Sequence, residues 1–172
     1  MCYNIKREVA IPPGFEKILR SAQNDSGAEC CHPGWIEESE PGGIAMIAGI
    51  GLDLCEIERM KKAIERPRFV DRVFTTAEAE RIRAASDIRR GEIAAGLFAA
   101  KEAVSKALGT GLVGISLSDI EIIPDAAGCP RCALSGKAHD RARALCGGGY
   151  TAWVSITHEN GMAAATAILE TE

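Results

Sequence analysis

Asp53 interrupts an otherwise apolar, glycine-bearing run, Ile47-Ala48-Gly49-Ile50-Gly51-Leu52-Asp53-Leu54. A carboxylate in such a run needs a cation, a hydrogen-bond donor or water beside it. A second group is Lys101, Glu102 and Lys106, read together as one helix face. Glu102 precedes Lys106 by four residues, the favourable order for an ion pair across one helical turn. Two carboxylates from separate elements, Asp53 and Glu102, are what a hard divalent cation such as Mg²⁺ recruits, with phosphate oxygens and water completing its six positions. Gly109-Thr110-Gly111 is a helix terminator of the kind that can also turn backbone N–H groups toward phosphate. His158, at the end of a strand-like run, is the fourth place of interest. Each has an ordinary reading as well: a solvated surface pair, a cap, a strand-end histidine. Together they are compatible with a Mg²⁺–phosphate site.

The elements that must hold these residues follow from periodicity. Residues 47–54 alternate strictly, with Ile50, Leu52 and Leu54 on one face and Gly49, Gly51 and Asp53 on the other. Such a strand is expected to leave space beside the carboxylate on its glycine face, as a ligand would require. A helix is predicted over 56–65, with Ile57, Met60 and Ile64 on one stripe and Pro67 as its stop. Thr75-x-x-Glu78 has the spacing of a capping box, opening a short helix to about Ala85. Residues 91–108 form the longest helical stretch, capped by Gly109. Strands are predicted over 115–123, around 132–134, over 150–157 and over 162–169, with a helix over 136–146 and an Asn160-Gly161 hairpin turn. Helices clustered ahead of several strands indicate an α+β domain.

The chain has 172 residues and a net charge of −4 at pH 7. No apolar run approaches the roughly 20 residues of a membrane-spanning helix, and the acidic balance argues against a general nucleic-acid binder. The charge is uneven: residues 1–45 carry 4 Lys and Arg against 7 Asp and Glu, leaving the remainder near neutral. Those first 45 residues are broken by Pro12-Pro13-Gly14, Pro33-Gly34 and Pro41-Gly42-Gly43 and have no sustained period. They are expected to be an unstructured leader, or to precede a natural start at Met46, with the working domain spanning 46–172. Cys129-Pro130-Arg131-Cys132 has no second ligand pair at zinc spacing and is read as non-metal-binding.

Four blocks then resemble one family in order and spacing: Met46 to Ile57, Arg72-Val73-Phe74-Thr75-x-x-Glu78, Phe98 to Gly111, and Val154-Ser155-Ile156-Thr157-His158. They are similar to the bacterial holo-[acyl-carrier-protein] synthases, the short 4′-phosphopantetheinyl transferases. The resemblance implies an α+β phosphopantetheinyl transferase fold, helices packed on a small, mainly antiparallel sheet, with a single copy of the motif set. It implies a cytoplasmic, Mg²⁺-dependent enzyme that moves 4′-phosphopantetheine from coenzyme A to a serine of acyl carrier protein in support of fatty acid biosynthesis. Asp53 and Glu102 would hold the metal, with Lys106 as the third catalytic group. Lys106, Gly109, Thr110, Gly111, Thr157 and His158 would bind coenzyme A. Proton removal by Glu102 or by a metal-bound water remains open at this level. The basic stripe through Arg59, Lys62 and Arg66 would dock an acidic carrier protein, and the family's trimeric state implies a homotrimer with sites between subunits. One departure is Leu97, where many relatives carry an arginine able to touch a coenzyme A phosphate.

Overall fold

The computed structural model describes residues 45–111 and 113–172, so the leader expected over residues 1–45 lies, apart from Ala45, outside the described residues. The chain opens with β1 (Ile47–Glu56), followed by helices α1 (Ile57–Ile64), α2 (Pro67–Val73), α3 (Thr76–Ala84) and the 21-residue α4 (Asp87–Ala107). A 3-10 turn (Leu117–Asp119) leads into β2 (Ile120–Pro124) and β3 (Pro130–Leu134), then α5 (Gly136–Cys146), β4 (Tyr150–Glu159) and β5 (Met162–Thr171). Strands β1, β5 and β4 form an antiparallel sheet in that order, and β2 pairs with β3 in a separate hairpin. This is the expected α+β architecture.

Local chemistry accounts for most boundaries. Pro67 ends α1, but it also stands at the first position of α2, where its missing N–H costs nothing. In the sequence alone Pro67 marks only the stop. The Thr75–Glu78 capping box forms as predicted: Thr75 Oγ1 accepts from the Glu78 amide at 3.4 Å, and Glu78 Oε2 accepts from the Thr75 amide at 2.8 Å. The long helix begins four residues before the expected start at Gly91. Gly91 is not a boundary but a crossing point, since a Cβ there would lie 2.3 Å from Lys61 Cγ on α1. The predicted strand over 115–123 shortens to β2 because Ser116 caps the 3-10 turn. The β4–β5 hairpin closes through Asn160 (φ 51°) and Gly161 (φ 78°), the two left-handed residues that a type I′ turn requires.

Helix α4 is the core. More than half its residues are buried, among them Ala94, Ala95, Ala99, Ala100 and Ala103 at 0% exposure. Alanine combines the best helix propensity with the smallest side chain, so α4 can lie very close to the sheet. The sheet matches it with Ala163, Ala165, Ala167 and Leu169, alternate residues of β5 that are all buried. On β1 the close approach is closer still. A Cβ on Gly49 would stand 2.0 Å from the Ala107 carbonyl oxygen, and one on Gly51 1.9 Å from that of Ala103. The expectation of ligand space along the glycine face is therefore corrected: the backbone of α4 fills it.

The opposite face of β1 is open. Ile50, Leu52 and Leu54 are 58–63% exposed, and cross-strand register places Ile50 beside Ile168 and Trp153 beyond it. The more hydrophobic side of the strand thus faces outward and the glycine side faces the core.

Candidate active site

Two of the four places singled out in the sequence, Asp53 and the Glu102–Lys106 stripe, meet where β1 crosses the C-terminal half of α4. Asp53 shares a face with Gly49 and Gly51, so the glycines that admit α4 also bring this carboxylate against the helix. Lys106, one turn beyond Glu102, donates to Asp53 Oδ1 at 2.9 Å and to the Leu52 carbonyl at 2.7 Å. Glu102 lies within the field of both. Burial raises the proton affinity of its carboxyl first, the charge of Asp53 raises it further, and Lys106 opposes the rise. A carboxyl raised by burial and by a neighbouring negative charge is one that a divalent cation relieves.

Glu102 also lines a cleft of about 1460 Å³ between α2 and the segment ahead of β2. One wall carries Arg66, Arg68 and Arg72 together with Glu65 and Asp71, the other carries Ile115 and Leu117, and Phe69 and Phe98 add apolar lining. Of the predicted docking residues, Arg66 is on this wall. Arg59 and Lys62 are exposed on α1 and do not line the cleft. Arg68 and Arg72 lie in the same basic stretch, but only the turn of α2 at Pro67 brings them to the cleft beside Glu102.

Lys101 does not share the Glu102 face, which corrects the grouping of Lys101, Glu102 and Lys106. It is fully buried and bonded to Glu78 of α3 at 2.6 Å. Burial pulls its ammonium below the ordinary lysine range, and the Glu78 charge opposes that pull. The Gly109-Thr110-Gly111 turn acts first as a helix end: the Gly109 amide donates to the Lys106 carbonyl at 2.9 Å and the Thr110 amide to that of Ser105 at 3.4 Å. Those two N–H groups are thus already committed, which narrows the phosphate-cradling expectation. Gly109 and Gly111 both take left-handed backbone, at φ 70° and 53°.

His158 lies apart from Asp53 within the chain. It lines a smaller cavity of about 190 Å³ with Arg81, Arg89, Glu92, Leu97 and Gly128. Thr157, on the other side of the strand, faces outward with Ser155 and Trp153. Arg81 and Arg89 were not singled out in the sequence. Nothing in their spacing marks them, because α3, α4 and β4 must pack before they face His158. Among the described residues no cluster of three or more His, Cys, Asp or Glu is placed to hold a metal. The pair Asp53 and Glu102 is the donor set available, and an oxygen-only pair suits a cation that keeps waters and substrate oxygens. Cys132 is a free thiol whose burial pushes its pKa up to about 12, a poor state for a metal ligand or redox nucleophile.

Residues 49–158 match the model of the 4′-phosphopantetheinyl transferase superfamily. The chain belongs to this superfamily, among the holo-[acyl-carrier-protein] synthases. It is 45% identical over 128 residues to the holo-[acyl-carrier-protein] synthase of Clostridium botulinum strain Alaska E43, covering 73% of this chain and 98% of that protein. It is 46% identical over 129 residues to that of Solidesulfovibrio magneticus, covering 73% and 99%. Among solved structures it is similar to the Bacillus anthracis holo-(acyl-carrier-protein) synthase in complex with CoA (3′,5′-ADP), with a TM-score of 0.62 at 34% identity over 74% of this chain and 99% of that one. The Neisseria meningitidis holo-[acyl-carrier-protein] synthase gives a TM-score of 0.64 at 30% identity over 73% and 100%. The holo-[acyl-carrier-protein] synthases are enzymes of the transferase class, and the family resemblance read from the four sequence blocks holds.

Proposed function

We propose that this chain transfers the 4′-phosphopantetheine arm of coenzyme A to a serine of apo-acyl carrier protein, releasing adenosine 3′,5′-bisphosphate. The observation that carries the reading is the convergence of Asp53, Glu102 and Lys106 at the edge of a cleft that also presents Arg66, Arg68 and Arg72. In this transfer the serine oxygen bonds to the phosphorus that bears the pantetheine arm. The bond from that phosphorus to the bridging oxygen breaks, and the bisphosphate leaves with the electron pair. The serine proton goes to Glu102, the carboxylate that lines the cleft beside the metal-holding Asp53. Lys106 keeps Asp53 oriented and presents a positive charge to the phosphate oxygens.

Asp53 and Glu102 would hold Mg²⁺, and their mutual repulsion on facing elements supports the fit. When bound, the ion neutralises pyrophosphate charge and stabilises the leaving phosphate. The turn Gly109-Thr110-Gly111 lets the diphosphate approach backbone without side-chain hindrance. His158 and Thr157 bind the nucleotide end of coenzyme A. Leu97 lines the His158 cavity and is buried, so the charge that an arginine would bring there comes instead from Arg81 and Arg89.

Arg66, with Arg68 and Arg72, supports docking of an acidic carrier, and Arg59 and Lys62 extend the charge along α1. The open face of Ile50, Leu52 and Leu54 supports a homotrimer, because a contiguous exposed apolar sheet face is a subunit-contact surface. In such an assembly Thr157, on that same face, lies at the contact between subunits. Residues 46–172 would be the transferase domain, with residues 1–45 outside it and the enzyme serving fatty acid biosynthesis in the cytoplasm. No helix among the described residues is long and apolar enough to cross a membrane.

The test is an intact-mass assay with coenzyme A, Mg²⁺ and apo-acyl carrier protein. The expected result is a carrier heavier by one phosphopantetheine. Asp53→Asn should lower turnover by about 100-fold or more with the fold retained. No mass increase on any of several carrier proteins would overturn the proposal.

A further inference from the structure

Five polar bonds converge at one buried point behind the cleft, on two side chains that hold no metal, coenzyme A or carrier protein in the reading above. Glu78 and Lys101 are both 0% exposed. Lys101 Nζ donates to Glu78 Oε2 at 2.6 Å, to the Ile120 carbonyl at 2.6 Å and to the Leu117 carbonyl at 2.9 Å, which commits all three of its protons. Glu78 Oε2 also accepts from the Thr75 amide, and Oε1 accepts from the Ile122 amide, each at 2.8 Å. The Phe74 ring lies 5.9 Å from the ammonium. Burying two charges is seldom the best route to stability, since apolar side chains of the same volume often do as well. A geometric reason is needed.

The location supplies one. Leaving α4, the connector is tied down at its near end by the Leu108, Gly109 and Thr110 amides. Its far end folds on itself through the Ser116–Asp119 capping box, takes the Ser135 amide on the Asp119 carbonyl at 2.8 Å, and enters the β2–β3 ladder at Ile120. Between these points run Ile115 to Ser118, the wall of the cleft facing Arg66 and Arg72 across Glu102. Lys101 fastens the far end of that wall to α4, one residue away from Glu102 in sequence and on another side of the helix. Glu78 fixes Lys101 in turn and locks the start of β2 to α3.

We infer that Glu78 and Lys101 are a positioning pair that sets the Ile115–Ser118 wall, and through it the seat of the serine-bearing segment of the carrier protein beside Glu102. This inference rests on the carrier-protein reading of the cleft. Neither residue touches a reacting atom. The metal carboxylates stand on β1 and α4 themselves, and His158 lies in another cavity, so loss of the pair acts chiefly on carrier binding.

The experiment uses the full chain as Lys101→Met and as the double variant Lys101→Met with Glu78→Gln. The single variant strands a buried carboxylate and should be less stable. The double variant removes both charges and keeps an acceptor for the Ile122 amide. The NH2 it introduces then faces the Thr75 amide, and the Leu117 and Ile120 carbonyls lose their donor, so it should regain only part of the loss. The Michaelis constant for apo-carrier protein should rise about tenfold in both, as expected of a wall displaced by a fraction of an ångström. That for coenzyme A should stay within about twofold. If the carrier constant recovers with stability in the double variant, or the coenzyme A constant rises by the same factor, the pair is merely structural and the inference fails. If the unaltered chain modifies no carrier protein, the broader reading fails instead, and the pair is judged by amide hydrogen exchange. Faster exchange confined to residues 115–120 of the double variant supports the positioning role, and uniform or absent change overturns it.

Discussion

Gly51→Ala tests the packing on which the site depends. The added methyl carbon would sit 1.9 Å from the Ala103 carbonyl oxygen, 2.8 Å from its carbonyl carbon and 2.9 Å from the Ala107 amide nitrogen. A carbon and a carbonyl oxygen normally approach no closer than about 3.3 Å, so β1 and α4 must separate by about 1.4 Å at this point. Every obstructing atom is backbone inside a helix, and no rotamer change can relieve the clash. A gap of that size forfeits a large share of the dispersion contact along the interface. The expected cost is about 3 kcal/mol or more, at the upper end for overpacking. Asp53 is two residues away on the same face, and Glu102 and Lys106 flank the obstructed turn. The same displacement should therefore lower turnover about 100-fold in the molecules that remain folded. Urea unfolding followed by circular dichroism gives the first number, and the carrier mass-shift assay, scaled to the folded fraction, gives the second. Gly128→Ala is the control: its φ of 87° is strained but the space is open, for a cost of about 1–2 kcal/mol. A Gly51→Ala protein as stable as the parent would refute the close-approach argument. One that is destabilised yet fully active when folded would refute the link between this packing and the site.

Further outcomes follow from other parts of the structure. Leu52→Glu should break the proposed homotrimer into monomers in sedimentation while costing each chain about 0.5 kcal/mol or less, because Leu52 is already 58% exposed; persistence of the trimer would exclude this face. Arg89→Ala, alone or with Arg81→Ala, should weaken coenzyme A binding about tenfold in calorimetry and leave dephospho-coenzyme A nearly unaffected; equal losses for both would mean that the arginines do not read the 3′-phosphate. Cys132 has a folded pKa of about 12 against 9.0 for a free thiol, so the unfolded chain gives up this proton first and stability must fall as pH rises above 9. Cys132→Ala should flatten that fall in melting scans from pH 8 to 11, and an unchanged slope would assign it to other groups.

The legibility of this protein in its sequence had a clear physical boundary. Hydrogen bonding within an element is local, so the Thr75–Glu78 box, the Asn160-Gly161 turn and the Gly109 helix end were all predicted where they form. Failures came where a residue's local meaning was overruled by a distant partner. Pro67 was a stop that is also a start, and Gly91 was a boundary that is a crossing with Lys61. Asp53, Glu102 and Lys106 were each visible as chemistry-bearing residues. That Lys106 bonds both Asp53 and the Leu52 carbonyl, over a separation of more than fifty residues, was not.

By itself the sequence determined the order and type of the elements, the family, and the residue types available for metal and phosphate chemistry. It also determined which residues share a face, because periods of 2 and 3.6 are properties of a single segment. What covers each face is not such a property. Tertiary packing decided that the glycine side of β1 meets α4 while Ile50, Leu52 and Leu54 look outward. It buried Lys101 against Glu78 and gave His158 a cavity with Arg81 and Arg89. The physical reason is shared by all three: a side chain's role depends on what packs against it, and those partners come from elements far away in the chain.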